Sequence, residues 1–400
     1  MAARQTLFAD PSFFVLLAAV LVPAAALGLT GHSLRRYGLA VSLGFLACVF
    51  AGNPAQIAGL VAFLVLARAA VLWLAASPGS KARYGLAVAA SLAPLAVYKL
   101  TSATGADLWG FVGISYVTFK AVQVVIEVRD GLIGARDLGL EDWLYFLLFF
   151  PQFSSGPIDR SRRFAADAHA TPSRDEYAGL LARGILLLLA GAAYKFVLAA
   201  WVHRGYAAPA WGSASGGVDV AAELWLQVRC AYQYGLYLFC DFQGYSLMAM
   251  GASYCLGIRC PRNFRAPFAA ADVVDFWNRW HITLSTWFRD FVFMRFTRWC
   301  MRRRLVHGRL RTAQVAFMVD MLVMGLWHGI APCYIAYGVY HGLLLATTEW
   351  MRKKSRFYRA HRHQAWFRVG LWFVTLQLVM FGFAIFSGQV EVALGGVLNG

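Results

Sequence analysis

Long stretches without any charged residue are the strongest constraint on how this chain can fold. No Asp, Glu, Lys or Arg occurs in residues 11–34, 37–67, 321–348 or 369–390. About 20 mostly apolar residues are needed to cross the hydrocarbon core of a bilayer, so each stretch is long enough. Charged residues make up 14% of the chain, against about 25% in a typical soluble domain. The sequence therefore predicts an all-α polytopic membrane protein and excludes a disordered chain, a coiled coil and a secreted disulfide scaffold.

The basic residues are concentrated in short loops between the apolar stretches. The formal net charge is +17, and the main clusters lie at residues 35–36, 160–163, 301–311 and 352–363. Short loops rich in Lys and Arg lie on the cytoplasmic side of a membrane. We therefore expect a multi-pass protein of the cytoplasmic (inner) membrane with cytoplasmic basic loops and an external N-terminus. No nucleic-acid partner is expected; the basic face suits anionic lipid of the bilayer or an acidic protein.

About nine to eleven spans and at least one re-entrant element are expected. Single apolar helices are predicted over residues 13–30, 39–52, 56–76, 84–98, 109–126, 180–202, 315–327, 335–348 and 367–387. Residues 223–258 are long enough for two passes, and Gly244 is expected to break or kink that segment. Residues 264–300 are expected to form helices that are buried in the protein or lie at the cytoplasmic interface.

Residues 143–158 break the alternation of inside and outside loops. This apolar segment has basic residues on both sides and contains Pro151, Gly156 and Pro157, so it is predicted to be re-entrant. Irregular backbone at membrane depth is tolerated where it is buried in protein or lines a cavity. We expect a single membrane domain, with peripheral helices over 1–108, a core over 109–350 and a basic loop with a final helix over 351–400.

Two polar clusters inside apolar segments are the candidate sites, because ionisable groups are costly there. One runs from Asp275 to His281 (DFWNRWH) and continues to Arg289 and Asp290; the other is the WHG turn at residues 327–329. A neutral imidazole is suited to removing a proton from a hydroxyl near pH 7. His328 is favoured because Gly329 and Pro332 break the helix beside it. Packing against Arg279 or Arg289 stays open for His281, and helix packing for His341.

Other polar residues have simpler interpretations. Lys195 is expected to pair with Asp241 or Glu127 inside the membrane. Arg302 to Arg304 fix topology or dock an acidic protein. The seven cysteines show no redox or metal-ligand pairing and are interpreted as packing residues.

Together these motifs resemble the membrane-bound O-acyltransferase (MBOAT) family. The resemblance is carried by residues 275–281 with Arg289 and Asp290, the turn 327–329, residues 241–246, and Asn263-Phe264 with Pro267-Phe268. Further stretches resemble the D-alanyl-transfer branch of that family. They are GISYVTF at 113–119, IEVRDG at 126–131, FSSGPIDRSRRF at 153–164 and FVFMRF at 291–296.

The resemblance implies a ring of helices with re-entrant or interfacial helices around a central tunnel. It assigns His328 as the catalytic base and His281 as a second family histidine that orients the thioester or stabilises charge. The candidate substrate or tunnel residues are Asn278, Arg279, Ser285, Arg289 and Asp241.

The resemblance also implies a donor and its partners. A D-alanyl group would come from the phosphopantetheine thioester of a small acidic D-alanyl carrier protein, with no bound cofactor or metal. It would cross the membrane and esterify an envelope polymer such as teichoic acid, with a downstream membrane-anchored D-alanyl transfer protein as a candidate partner. The candidate docking residues for the carrier are Arg295, Met301, Arg302, Arg303, Arg304 and Val306.

Two alternative functions stay open. An O-acetyltransferase of an envelope polysaccharide, similar to alginate O-acetyltransferases, would use the same histidine with a different donor. That branch typically has a PLGGNR-like stretch where Met294-Arg295-Phe296 stands here. A transporter or flippase is the alternative from another class, because intramembrane charges and broken helices also mark transport pathways. It predicts internal inverted repeats, which the sequence does not display.

Overall fold

Helices are the regular elements of the computed structural model, which describes residues 7–102, 104–106, 108–209 and 219–399. Six of them are long and apolar enough to cross a membrane. They are Pro11–Leu29, Pro54–Ala75, Lys81–Ser102, Arg174–His203, Arg309–His328 and Ala365–Phe386. The prediction of an all-α polytopic membrane protein is thereby confirmed, while the total of nine to eleven spans stays a prediction.

Four helices form the N-terminal part of the chain. They are α1 (Pro11–Leu29), α2 (Arg35–Val49), α3 (Pro54–Ala75) and α4 (Lys81–Ser102). The predicted break between α2 and α3 is present: the Asn53 side chain accepts a hydrogen bond from the backbone N–H of Gln56, at 3.2 Å, and Pro54 is the first helical residue. A capping side chain followed by proline satisfies the free N–H groups at a helix start. Helix α2 begins four residues before the predicted start, and α4 extends beyond residue 98.

The predicted re-entrant segment is short, broken and buried. After α5 (Ile114–Arg129), helix α6 (Leu140–Leu148) ends in a single 3-10 turn, Phe150–Gln152, and irregular backbone leads to α7 (Ser161–His169). Gly156 is required there, because a Cβ atom would lie 2.3 Å from the carbonyl oxygen of Pro151. Polar contacts lie near the break: the Gln152 amide N–H donates to the Asp159 carboxylate at 3.2 Å, and Arg163 binds the same carboxylate. Irregular backbone therefore lies inside the protein, as predicted.

Two long helices follow. The helix Arg174–His203 consists of α8 (Arg174–Ala192), a π-helical turn Ala193–Ala199 and α9 (Ala200–His203). Helix α10 (Val220–Cys255) has 36 residues and is about 54 Å long at 1.5 Å per residue. The expectations of two passes and of a break at Gly244 are wrong, because α10 is one uninterrupted helix, while the alternative of a kink at Gly244 stays a prediction.

Glycines in α10 serve for close packing. A Cβ atom on Gly191 of α8 would lie 2.6 Å from the carbonyl oxygen of Gly244, and one on Gly251 would lie 2.6 Å from the carbonyl oxygen of Gly184. Small residues allow membrane helices to approach at backbone distance. The glycine that suggested a break is therefore the contact surface of a continuous helix.

The chain divides into two compact units. The first comprises Met1–Ala192 and Gly244–Arg262, and the second comprises Ala193–Gln243 and Asn263–Gly400. The prediction of a single membrane domain with the boundaries given above stays a prediction.

The second unit contains the segment that was hardest to assign from sequence. Residues 264–300 form short helices, as expected: α11 (Val273–Trp277), α12 (Ile282–Phe288), a π-helical turn Arg289–Phe293 and α13 (Met294–Arg303). The predicted helical pair follows as α14 (Arg309–His328) and α15 (Pro332–Lys354). The remaining helices are α16 (Arg356–His361), α17 (Ala365–Phe386) and α18 (Gln389–Asn399).

Enlarging Gly184 should destabilise the first unit. In a Gly184→Leu variant the side chain meets the Cys255 sulfur and the Gly251 carbonyl oxygen, which lie 2.6 and 2.8 Å from the Cβ position. Overpacking of this kind costs about 1–3 kcal/mol. The matched control is Gly179→Leu on the same helix, since nothing lies within 4 Å of its Cβ position. Thermal unfolding in detergent should show a lower midpoint for Gly184→Leu alone; equal midpoints would contradict the packing described here.

Candidate active site

His328 is the last residue of α14, and the chain turns sharply after it. Gly329 ends the helix, where a Cβ atom would lie 2.5 Å from the Tyr334 ring. Pro332 is the first residue of α15. The predicted break beside His328 is therefore confirmed. The imidazole lies with its ring centroid 4.9 Å from that of Phe386, at an interplanar angle of 85°.

His281 joins α11 to α12 in a left-handed backbone conformation, with φ 43° and ψ 52°. Such a conformation costs of order 1–3 kcal/mol for a residue other than glycine, so its surroundings must stabilise it. Asn263 does so: its carbonyl oxygen accepts from the Ile282 N–H at 2.8 Å, and its side-chain oxygen accepts from the Thr283 hydroxyl at 2.6 Å. The His281 ring packs edge-on against Phe242, with centroids 4.6 Å apart.

His281 and His328 line one small cavity of about 70 Å³ in the second unit. The other lining residues are Leu238, Phe242, Trp277, Trp280, Leu284, Met324, Tyr337, Phe383 and Phe386. The cavity is large enough for several water molecules or a small chemical group. The structure thus brings the two predicted histidines, 47 residues apart in sequence, to one mostly aromatic site.

His281 is neutral at physiological pH. It lies outside the six candidate spans and is 4% exposed. Burial lowers the pKa of its imidazole to about 3, and the neighbouring His328 contributes to the lowering. Its Nε2 atom is buried and has no hydrogen-bond partner among the residues that the structure describes. A buried polar atom of this kind is a candidate for contact with a substrate.

The other predicted substrate or tunnel residues lie outside this cavity. Asn278 is exposed, and the hydroxyl of Ser285 donates to the Trp280 carbonyl oxygen at 3.1 Å. The remaining three form ion pairs: Arg279 with Asp275, Arg289 with Asp290, and Asp241 with Lys195. The pairing of Asp241 with Lys195 agrees with one of the two expectations for that lysine. The assignment of these five residues to a substrate path stays a prediction.

Most of the aromatic wall was not predicted from sequence. Tyr337, Phe383 and Phe386 line the cavity beside Trp277, which belongs to the predicted cluster 275–281, and the Trp277 indole N–H donates to Nδ1 of His341 at 3.3 Å. One sequence signal for this wall was residue spacing: Phe383 and Phe386 are three residues apart on α17 and therefore share a helix face. Apolar helices contain many such pairs, so spacing alone could not single them out.

The predicted docking residues for a carrier lie at the end of α13. Met301, Arg302, Arg303 and Arg304 are exposed, while Arg295 and Val306 are partly buried. Two exposed apolar side chains that the sequence analysis did not name lie among the arginines. Trp299 is 51% exposed and Leu305 54%, beside Met301 at 49%. Residues 299–305 therefore combine positive charge with exposed apolar area.

Comparison with known proteins identifies the family. The MBOAT, membrane-bound O-acyltransferase family, matches residues 133–387. A teichoic acid D-alanyltransferase from Bacillus subtilis is 37% identical over 391 residues, which are 94% of this chain and 96% of the relative. One from Streptococcus thermophilus is 42% identical over 293 residues, 70% of this chain and 69% of the relative.

A less similar group of relatives is named for a different activity. A probable alginate O-acetylase from Pseudomonas syringae is 30% identical over 283 residues, which are 70% of this chain and 49% of the relative. The family match covers more than half of the chain and includes both histidines of the cavity. This protein belongs to the membrane-bound O-acyltransferase family.

Proposed function

We propose that this protein transfers a D-alanyl group from a carrier-protein thioester to a hydroxyl of a cell-envelope polymer such as teichoic acid. The observation that carries the proposal is the cavity that His281 and His328 line together with aromatic side chains. The donor and acceptor follow from the similarity to teichoic acid D-alanyltransferases over most of the chain. The donor is held on the phosphopantetheine of the carrier, so no other cofactor takes part.

His328 acts as the general base in this proposal. Its imidazole takes the proton of the acceptor hydroxyl while the oxygen attacks the thioester carbonyl carbon. The tetrahedral intermediate then expels the carrier thiolate, which receives that proton from His328. An ester and a free carrier thiol result, and the histidine returns to its neutral form.

His281 and the aromatic wall support this step in different ways. Because His281 stays neutral, its unpartnered Nε2 atom stabilises the oxyanion as an N–H donor rather than as a cation. The narrow aromatic cavity limits the water near the thioester. A water-poor site disfavours hydrolysis, which is the competing reaction of any thioester.

The carrier protein docks on residues 299–305 in this proposal. The arginines there suit a small acidic protein, and the exposed Trp299, Met301 and Leu305 supply an apolar centre. The surface must then face the compartment that holds the carrier. We infer that the basic loops are cytoplasmic, that the membrane is the cytoplasmic membrane, and that a downstream membrane-anchored D-alanyl transfer protein is a candidate partner outside.

Replacing His328 should abolish transfer. A general base contributes about 10²–10⁴-fold to a rate, so His328→Ala is expected to show no transfer above background while the protein still inserts and folds. The measurement is acyl transfer from carrier-bound D-[¹⁴C]alanine in reconstituted vesicles. The matched control is His32→Ala, because His32 is exposed and lies in the first unit. Near-normal transfer by His328→Ala would reject the assignment.

The choice of donor separates D-alanylation from O-acetylation. Wild-type protein is incubated with carrier-bound D-[¹⁴C]alanine or with [¹⁴C]acetyl-CoA, and His328→Ala provides the background for each. We expect label transfer that depends on His328 from the carrier donor alone. Transfer from acetyl-CoA alone would instead favour the activity of the alginate O-acetylase relatives.

Reversing charge on the docking surface should weaken carrier binding without impairing the chemistry. The double variant Arg302→Glu/Arg303→Glu is expected to raise the KM for the acylated carrier about tenfold or more, because each reversed charge now repels an acidic partner. Turnover of D-alanyl-pantetheine, which has no carrier protein, should be unchanged. The control is Arg359→Glu/Arg362→Glu, an equal change of charge at exposed positions in and just after α16. An equal rise in KM for both double variants would contradict docking at residues 299–305.

A further inference from the structure

A buried carboxylate links the N-terminus of helix α11 to α15. Asp272 is 3% exposed and caps α11, accepting from the Asp275 N–H at 3.0 Å. Arg352, in the last turn of α15, donates to both carboxylate oxygens at 2.8 and 2.7 Å. The Tyr358 hydroxyl donates to the same group at 3.3 Å. A two-pronged Arg–carboxylate contact fixes orientation as well as distance.

A second polar contact links the C-terminus of α11 to α15. The Trp277 indole N–H donates to Nδ1 of His341, one turn after Tyr337 on α15. Indole N–H is a donor only, so Nδ1 must be the unprotonated nitrogen and the proton of neutral His341 lies on Nε2. This short helix is therefore held at both ends, and the Trp277 ring that lines the cavity is at the second end.

His341 is tightly enclosed by its neighbours. It is fully buried, with ring centroids 4.5 Å from Tyr337 and 5.3 Å from Tyr340. Gly382 of α17 lies against it, because a Cβ atom there would be 2.5 Å from Nε2. The ring therefore has little freedom to turn away from Trp277.

His341 makes one polar contact and leaves one polar atom unsatisfied. Its Nε2 atom has no hydrogen-bond partner among the described residues, and an unsatisfied buried donor destabilises a fold. An apolar ring of similar size would remove that cost but would leave the buried indole N–H of Trp277 without its acceptor. The two costs are of the same kind, so what the histidine adds is a fixed position for the indole.

We propose that His341 is a positioning residue for acyl transfer: it holds Trp277 as one wall of the cavity between His281 and His328, and the Asp272–Arg352 pair anchors the other end of α11. This inference rests on the proposed function. His281 lies in the connection that follows α11, four residues after Trp277, so a shift of α11 would displace both. When the hydrogen bond is absent, the indole shifts, water reaches the thioester, and hydrolysis competes with transfer.

The test compares three single variants by transfer, hydrolysis and stability. His341→Phe and Trp277→Phe each remove one partner of the hydrogen bond. Tyr340→Phe is the matched control on α15, because it removes a comparable hydrogen bond, 2.9 Å to the Leu378 carbonyl oxygen, from a side chain that does not line the cavity. With carrier-bound D-[¹⁴C]alanine, label on the acceptor reports transfer and free D-[¹⁴C]alanine reports hydrolysis.

We expect His341→Phe to lower kcat about 10–100-fold, because small displacements of positioning groups have effects of that size. The KM for the carrier should be unchanged, the hydrolysed share of the thioester should rise, and the melting temperature should not fall. Trp277→Phe should have a similar effect, and the double variant should be little worse than either single variant, since both lose the same contact. His341→Gln, whose side-chain oxygen can accept from the indole, should recover most of kcat.

Different variants test the control, the positioning role of His341 and the proposed function. Tyr340→Phe should lower the melting temperature while leaving kcat and the hydrolysed share unchanged. A wild-type kcat together with a wild-type ratio of transfer to hydrolysis in His341→Phe would overturn the positioning role. If His341→Phe does not fold, Trp277→Phe decides: wild-type kcat there overturns the role equally. Normal transfer by His328→Ala would instead reject the proposed function.

Discussion

The buried position of His281 is the constraint on which the cavity depends. In an apolar environment a polar backbone or side chain must find its partners within the protein, since water is not there to supply them. His281 can adopt its left-handed backbone because Asn263 accepts from both Ile282 and Thr283. The elements around His281 therefore have little freedom, which is the rigidity that the proposed acyl transfer would need.

The helix ends near the site were predictable because local chemistry determines them. Asn53 before Pro54 and Gly329 before Pro332 stop or start helices through capping and ring geometry, which depend on adjacent residues only. The break in residues 143–158 was predictable for the same reason, from its prolines and glycine. His328 could thus be selected from sequence as a histidine beside a helix break.

The partners of these residues were not predictable, because they come from distant segments. Asn263 contacts Thr283, and Trp277 contacts His341 across 64 residues of sequence. Gly244 shows the same limit: glycine lowers helix propensity locally, yet here it is the surface against which Gly191 packs. Tertiary packing therefore overrode the local signal in α10. The membership of Asn278, Arg279, Ser285, Arg289 and Asp241 in a substrate path is a family-based expectation that stays a prediction, since none of the five lines the histidine cavity.

Charged residues are arranged differently in the interior of the protein and on its surface. Lys195 with Asp241 and Arg352 with Asp272 neutralise each other where burial would make a single charge costly. The chain has more basic than acidic residues, which gives its net charge of +17. Some of these basic residues, such as Arg302 to Arg304, are exposed, and apolar side chains are exposed beside them. A neutral His281 in the cavity and unbalanced arginines outside it suit the different tasks of the proposed function. Deprotonating a hydroxyl needs an uncharged base in a dry site, whereas attracting an acidic carrier needs a charge that acts at a distance through solvent. Under that proposal the two tasks are separated in space, so the surface can be strongly cationic while His281 stays uncharged.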